Sequence, residues 1–305
     1  MPTIDRSTII RGPASITFGG QNFFTKDNVS VTVENSIAEQ TSDIFGVVGR
    51  VKTDTQVRVS FTPVGDVQNA QTAVLYPYLS TALGTSIYGS SDSQLVITGL
   101  LNKLIVENAA VTSMPSLTLG AGTTAFGEVE FTGLVKKGAE PDLEASYYVY
   151  SESSNSYPAT FNPTNVKSGE YQATYLGYTH ASTEGFTVDF DLSLAPVVAD
   201  NNGTIDMRIQ DVQWTANWSP IVANFPDYIL QYLTQSVAPG QDVYTNSITI
   251  AGQSGQISFT ADKAALVSSD FTWGVDANLN GPISVQSVRD INSGALDPIC
   301  AIATV

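Results

Sequence analysis

Residues 29–64 read VSVTVENSIAEQTSDIFGVVGRVKTDTQVRVSFTPV, and the way this stretch is read decides the fold. At its start Val29, Val31 and Val33 alternate with Ser30, Thr32 and Glu34. At its end Val57, Val59 and Phe61 alternate with Arg58, Ser60 and Thr62. A period of two is the mark of a strand with one face in a core and the other in water. The polar middle, broken by Gly46 and Gly49, is too long for a tight turn. The stretch therefore predicts two paired strands joined by a long projecting loop.

The same pattern recurs at an offset of 157 residues (220 − 63), so that residues 186–222 lie on residues 29–65 without a gap. Val31 falls on Val188, Ser36 on Ser193, Ala38 on Ala195, Asp43 on Asp200 and Gly46 on Gly203. Asp54 falls on Asp211, Gln56 on Gln213 and Pro63 on Pro220, while Ile37 meets Leu194 and Phe61 meets Trp218. A match of this length predicts a duplicated unit. A second landmark, Phe126-Gly127, falls on Trp273-Gly274 at the shorter offset of 147 (274 − 127), a difference that loops can absorb.

Composition agrees with an all-β chain. Charged residues make up 14%, and the remaining polar residues are mostly Ser, Thr, Asn and Gln with 24 glycines, the balance of many strands and turns. The formal charge of −16 repels phosphate backbones from the average surface, which argues against sequence-reading or storage of nucleic acid. A single cysteine, Cys300, excludes an intrachain disulfide, and with His180 the only histidine there is no Cys/His set for zinc. The N-terminus lacks the pattern of a secretory signal, and no apolar run reaches the roughly 18 residues of a membrane helix, so the expectation is a soluble protein made in a cytoplasm, with no membrane partner.

Along the chain, residues 1–13 read as an arm and residues 14–138 as a first β-sandwich. Residues 139–168 read as a linker or inserted loop, residues 169–285 as a second β-sandwich, and residues 286–305 as a tail whose Ile299, Ala301 and Ala303 dock a last strand. Within the first unit a helix is expected over 66–84, closed by Gly84 and interrupted by Pro77. Strands are expected at 94–98, 104–108, 117–119 and 126–134. Within the second unit strands are expected at 171–178, 247–250, 257–260 and 271–278, with a helical run at 224–233.

The residues that could carry chemistry do so weakly. His180 and Cys300 have no flanking nucleophile motif and read as a loop histidine and a buried cysteine. Residues 200–203 followed by Asp206 offer oxygen ligands around a glycine turn but lack the later bidentate Glu of a calcium loop. Asp189 and Asp191 stand on one strand face, where they read as its wet side, or as the acid pair of a glycoside hydrolase. Lys136-Lys137 beside Tyr147, Tyr148 and Tyr150 is offset by Glu140, Asp142, Glu144 and Glu152, and no glycine motif cradles phosphate. The reading is a protein without catalytic residues, cofactor or metal.

The order FGGQNFF, strand, polar stretch, VRVSFTPVG, helix, ENAAVTSMPSLTLG and TTAFGEVEFTGL resembles the major tail tube protein of tailed bacteriophages, well over residues 14–138 and weakly over 169–285. The resemblance implies an antiparallel β-sandwich with a flanking helix, here duplicated in tandem. It also implies stacked rings whose sheets join edge to edge into an inner barrel, and a long hairpin that reaches the adjacent ring. It places inter-ring contacts at Ala38, Asp43, Phe45, Gly46, Asp200 and Gly203. The implied partners are further copies of the chain, as homotrimer or homohexamer rings, together with a tape measure protein, a tail terminator and double-stranded DNA passing through the lumen. The implied location is the virion tail, assembled in the host bacterial cytoplasm. Many tube proteins hold a single copy of the unit, so 305 residues are a departure that two fused copies would explain. The alternatives are a virion decoration or receptor-binding β protein and a β-sandwich glycoside hydrolase.

Overall fold

Period-two segments form strands wherever a partner strand can satisfy their backbone groups, and here nearly all of the regular structure is of that kind. The computed structural model describes residues 14–64, 69–88, 94–99, 102–120, 123–134, 147–151, 170–199, 203–221, 245–252, 257–271, 280–289 and 299–304. Ser15–Phe18 (β1) and Gln21–Phe24 (β2) form a hairpin, followed by the long pair Ser30–Ser42 (β3) and Gly46–Phe61 (β4). After a helix at Asn69–Leu75 (α1) come Leu95–Thr98 (β5), Asn102–Val106 (β6), Ala109–Ser113 (β7), Leu117–Gly120 (β8), Thr123–Phe126 (β9), Val129–Leu134 (β10) and Tyr147–Ser151 (β11). The later strands are Gln172–Tyr175 (β12), Tyr178–Ala199 (β13), Gly203–Pro220 (β14), Thr245–Ala251 (β15), Ile257–Phe271 (β16), Asn280–Ser287 (β17) and Ala301–Thr304 (β18).

Three antiparallel sheets result. The first has the order β11-β6-β5-β1-β2 and the second β3-β4-β10-β7. They pack face to face through aromatic rings: Phe18 of β1 stands edge-on to Phe131 of β10 at 4.8 Å, and Phe131 stacks on Phe61 of β4 at 5.9 Å. The third sheet runs β12-β15-β16-β17-β14-β13-β8-β9, with β18 on β16. In it β12 pairs both β15 and β13, which closes six strands into a ring and removes their free edges. The interior is filled by large side chains, with Trp214 edge-on to Phe259 at 4.9 Å and Tyr175 edge-on to Trp218 at 6.1 Å.

The two halves of the sequence share this third sheet. Leu117 and Leu119 of β8 pair with Val188 and Phe186 of β13, and Tyr76, just past α1, lies 4.9 Å from Phe190 of β13. Residues near 300 then tie both halves together, since Ile299 N–H donates to Leu79 C=O at 2.9 Å and Trp214 Nε1 donates to Ile299 C=O at 2.9 Å.

Several expectations are corrected. The middle of residues 29–64 is ladder: β3 and β4 pair as far as Ser42 opposite Gly46, leaving a three-residue tip. Alternating cross-strand pairs such as Glu39 with Arg50 keep even an exposed ribbon in register. The helix ends at Leu75, two residues before Pro77, because the residue preceding a proline is driven out of the helical region, and Gly84 is not its cap. The strand expected at 126–134 is two strands in different sheets, parted at Gly127, and β7 was not foreseen. Part of the expected linker is β11, which pairs with β6. The strand expected at 171–178 turns at Leu176 and Gly177, both with positive φ, the geometry of a two-residue hairpin turn. The last strand docks as expected, but Ile302 packs against the core while Ala301 and Ala303 face out. The helical run at 224–233, residues 272–278 of the strand expected at 271–278, the arm at 1–13 and Lys136-Lys137 lie outside the described residues.

Candidate functional site

The ribbon β3–β4 leaves its sheet beyond Gln56, the last residue of β4 paired with β10, and the outer half of the ribbon is exposed on both faces. Its tip is the three-residue turn 43–45, followed by Gly46 at φ +72°. A left-handed glycine after a three-residue turn is how such hairpins return in register. The ribbon carries Ile37, Ile44, Phe45, Val47, Val48 and Val51 exposed, with Ile44 at 83% and Phe45 at 78%. Large apolar side chains clustered at such exposure mark a surface that another surface covers.

The ribbon is repeated in β13–β14, down to its irregularities. β3–β4 shifts register between Ser36 and Ile37 and again between Gln40 and Thr41. β13–β14 shifts between Ser193 and Leu194 and between Val197 and Val198, the same places at the offset of 157 (193 − 36). The polar motif at the base repeats as well. Asp54 Oδ1 accepts from Thr55 N–H at 2.8 Å and Oδ2 from Gln56 Nε2 at 3.1 Å. Asp211 Oδ1 accepts from Val212 N–H at 2.9 Å and Oδ2 from Gln213 Nε2 at 2.6 Å. The equivalence continues past the ribbons. β7–β10 and β16–β17 share one bulge, opposite Glu130–Phe131 in the first and Ser284–Val285 in the second. This ladder sets Gly127 level with Gly281, at an offset of 154 (281 − 127), in place of Gly274; Trp273 and Gly274 lie outside the described residues.

The two ribbons touch inside the chain. Thr204 Oγ1 donates to Asp54 Oδ2 at 2.7 Å, and Gln56 Nε2 lies 3.3 Å from the same hydroxyl. Gly203, at φ +67°, sits so close that a Cβ there would meet Thr53 O at 2.6 Å and Asp54 Oδ1 at 2.7 Å. Next to this contact Ser86 Oγ donates to Asp206 Oδ1 at 2.5 Å, and Ile87 N–H donates to Met207 C=O at 3.0 Å. The second ribbon is thus partly covered by the first half of the chain, whereas the first ribbon is bare.

Of the positions expected at an inter-ring contact, Ala38 pairs with Val51 on the exposed ribbon, and Asp43, Phe45 and Gly46 form its tip. Gly203 is held against Asp54 of the same chain, and Asp200 lies outside the described residues. The reading of the middle of residues 29–64 as a loop missed Ile37, Val47, Val48 and Val51. The signal for the three valines was present as apolar positions on either side of Gly49.

The remaining candidates fall into structural roles. His180 is a strand residue, 3% exposed, whose Nε2 accepts from Trp218 Nε1 at 2.7 Å. Burial lowers its pKa to about 4, against a smaller opposite effect of its backbone hydrogen bond with Tyr178. Cys300 is buried, which pushes its thiol well up, and its neighbour among titrating groups is Tyr76 rather than His180. Asp189 and Asp191 are exposed on the outer face of β13, opposite Thr215 and Gln213. Asp206 is occupied by Ser86 and by Met207 N–H, and no cluster of three metal-binding side chains occurs among the described residues. No described helix is long and apolar enough to cross a membrane.

No family model matches the sequence, and no curated protein matches it. Among solved structures, similarity is found to a tryptophan-to-alanine mutant of HCR D/C VPI 5995, at 10% identity over 96% of this chain and 98% of that one, with a TM-score of 0.13. Similarity is also found to the binding domain of botulinum neurotoxin DC in complex with rat synaptotagmin II, at 10% identity over the same shares and a TM-score of 0.12. At TM-scores this low neither carries an argument about fold or function.

Proposed function

We propose that this chain is a structural protein that assembles into stacked rings as the tail tube of a bacteriophage, a hollow conduit for DNA. The observation that carries the reading is the bare outer half of the ribbon β3–β4: a well-registered pair of strands whose outer half and tip expose six large apolar side chains, which assembly would bury. The wall is formed by the sheets at the ribbon bases and the joint between rings by the tip around Ile44 and Phe45. Two ribbons per chain let three chains supply six, so the ring is a homotrimer. The formal charge of −16 suits a wall past which DNA must slide without binding. In this reading the tape measure protein and tail terminator are the partners at the lumen and the tube end, and no catalytic step is involved. Negative-stain microscopy of the purified protein tests it. Stacked rings or tubes with three repeats in end-on view are expected, and monomers that persist at high concentration would sink it.

A further inference from the structure

The two halves of the chain repeat a hairpin residue for residue and differ at one buried pair. β1 and β2 lie on β12 and the start of β13 at the offset of 157 (172 − 15). Ile16 pairs with Phe23 as Ala173 pairs with His180, and both turns have positive φ at two residues, Gly19-Gly20 in the first and Leu176-Gly177 in the second. The chain leaves each hairpin in the same way, with Thr25 opposite Pro63 in the first half and Ser182 opposite Pro220 in the second. In the first half the buried Phe23 and Phe61 face each other with ring centroids 6.2 Å apart. In the second half the same two places hold His180 and Trp218, with centroids 5.8 Å apart and the indole Nε1 donating to His180 Nε2 at 2.7 Å. An apolar pair fills the place in the first half, so the hairpin itself does not call for an ionisable side chain there.

The pair also sits where the second unit is weakly tied. β13 holds to β12 through four residue pairs, and this contact closes the ring of six strands. The ladder of β13 with β14 is interrupted between Ser182 and Phe186, and beyond the break Ser182 faces Pro220, which has no N–H to give. Residues 178–181 are tied to β14 by the bond from Ile221 N–H to Ala181 C=O at 2.9 Å and by the bond from Trp218 to His180. We propose that His180 is an acid-sensitive latch on the second unit. A proton on Nε2 turns the acceptor of the Trp218 bond into a donor, so that two N–H groups face each other inside the core. The start of β13 then parts from β12 and β14 and the six-strand ring opens, while Phe23 and Phe61, which do not titrate, keep the first unit shut. From β12 and the residue before it the titratable neighbours are Tyr175 and Tyr171, and from β13 itself Tyr178; β14 between Val212 and Pro220 carries none, nor does β15. Glu170 and Glu184, the nearest carboxylates along these strands, are exposed. Burial therefore governs the titration of the imidazole, ahead of the opposing hydrogen bond with Tyr178, and lowers its pKa from 6.5 to about 4. The latch works through contacts within one chain and stands apart from whether rings form or stack.

Amide hydrogen exchange on the full chain, corrected for the intrinsic effect of pH on exchange, tests it directly. Between pH 6.5 and 4 the exchange of residues 172–181 is expected to rise about tenfold per pH unit, because the open form takes up one proton that the closed form refuses, while the equivalent residues 15–24 stay level. His180→Phe, which puts in the residue of the first half, is expected to abolish the rise and to leave residues 172–181 protected at pH 7. Equal loosening of both hairpins, no loosening of either, or a rise that persists in His180→Phe would each overturn the proposal. Where the variant does not fold, the comparison of the two hairpins in the wild type decides alone. His180 is the only histidine, so its imidazole resonance can be followed without ambiguity across the same range. A midpoint of about 4 is expected, and a freely titrating imidazole with a midpoint near 6.5 would sink the latch.

Discussion

Thr204 Oγ1 lies 2.7 Å from Asp54 Oδ2, and through this hydrogen bond the return strand of the second ribbon is fastened to the base of the first. Asp54 already binds Thr55 N–H and Gln56 Nε2, so the carboxylate is shared by three donors and fixes where the two ribbons meet. Thr204→Val keeps the shape and removes the donor. A loss of about 1 kcal/mol in urea unfolding is expected.

Gly203 and Gly46 are equivalent in the repeat and differ in surroundings. Both have positive φ, but a Cβ at Gly46 meets open space whereas one at Gly203 collides with Thr53 and Asp54. Gly46→Ala should cost about 1 kcal/mol for the backbone alone, and Gly203→Ala more than about 2 kcal/mol. Equal effects in thermal melts would show that the ribbons do not touch.

His180 makes stability depend on pH in a defined window. Its imidazole is buried neutral and accepts from Trp218, so its folded pKa is lowered from 6.5 to about 4. Stability is unaffected by this group above pH 6.5 and falls as pH drops from 6.5 toward 4, because the unfolded chain takes up the proton first; the accumulated loss is roughly 3 kcal/mol. Melting temperatures measured from pH 7 to 4 should fall more steeply in the wild type than in His180→Gln, which cannot take up the proton.

The tip can be changed without touching the core. Ile44→Asp with Phe45→Asp should alter monomer stability by less than about 0.5 kcal/mol, because both side chains are exposed. On the tube reading, the variant still forms rings but no longer stacks them, which microscopy distinguishes. Long tubes from this variant would remove the tip from the joint.

Removing residues 299–305 should be costly. It strips β18 from β16 and leaves the buried Trp214 indole N–H without its acceptor at Ile299. A loss of about 3 kcal/mol or more, together with exposure of Cys300's former neighbours to dye, is expected by equilibrium unfolding and dye binding.

The parts of this fold visible in the sequence are those set by local alternation. Val29 to Val33 and Val57 to Phe61 announce their strands because one side chain in two is apolar. The outer ribbon was hidden because its side chains have no core to face, so its strand character rests on cross-strand pairing alone. β16 was cut short in the sequence reading because ADKAALV, at 261–267, has no period of two, yet β15, β17 and β18 all pair with that strand. β7 was lost because AAVTS is short and its partner β10 lies some twenty residues on. The closure of β12 onto β13 and the loan of β8 to the other half depend on three-dimensional approach, which no local pattern encodes. The candidate site was half legible: the offset of 157 located both ribbons, while the coverage of one and bareness of the other emerged from packing.

The hydrogen bond from Ile299 to Leu79 spans 220 residues (299 − 79). A ribosome delivers Leu79 long before Ile299, and β8 must likewise wait for β13, so the first half is synthesised with its adhesive strands and no lasting place for them. Folding dominated by such distant pairings is slow. The price of the shared sheet is thus a vulnerable interval during synthesis. Its return is temporal control, since a nascent chain cannot complete the shared sheet until the segment around residue 300 has emerged and β18 can pair with β16.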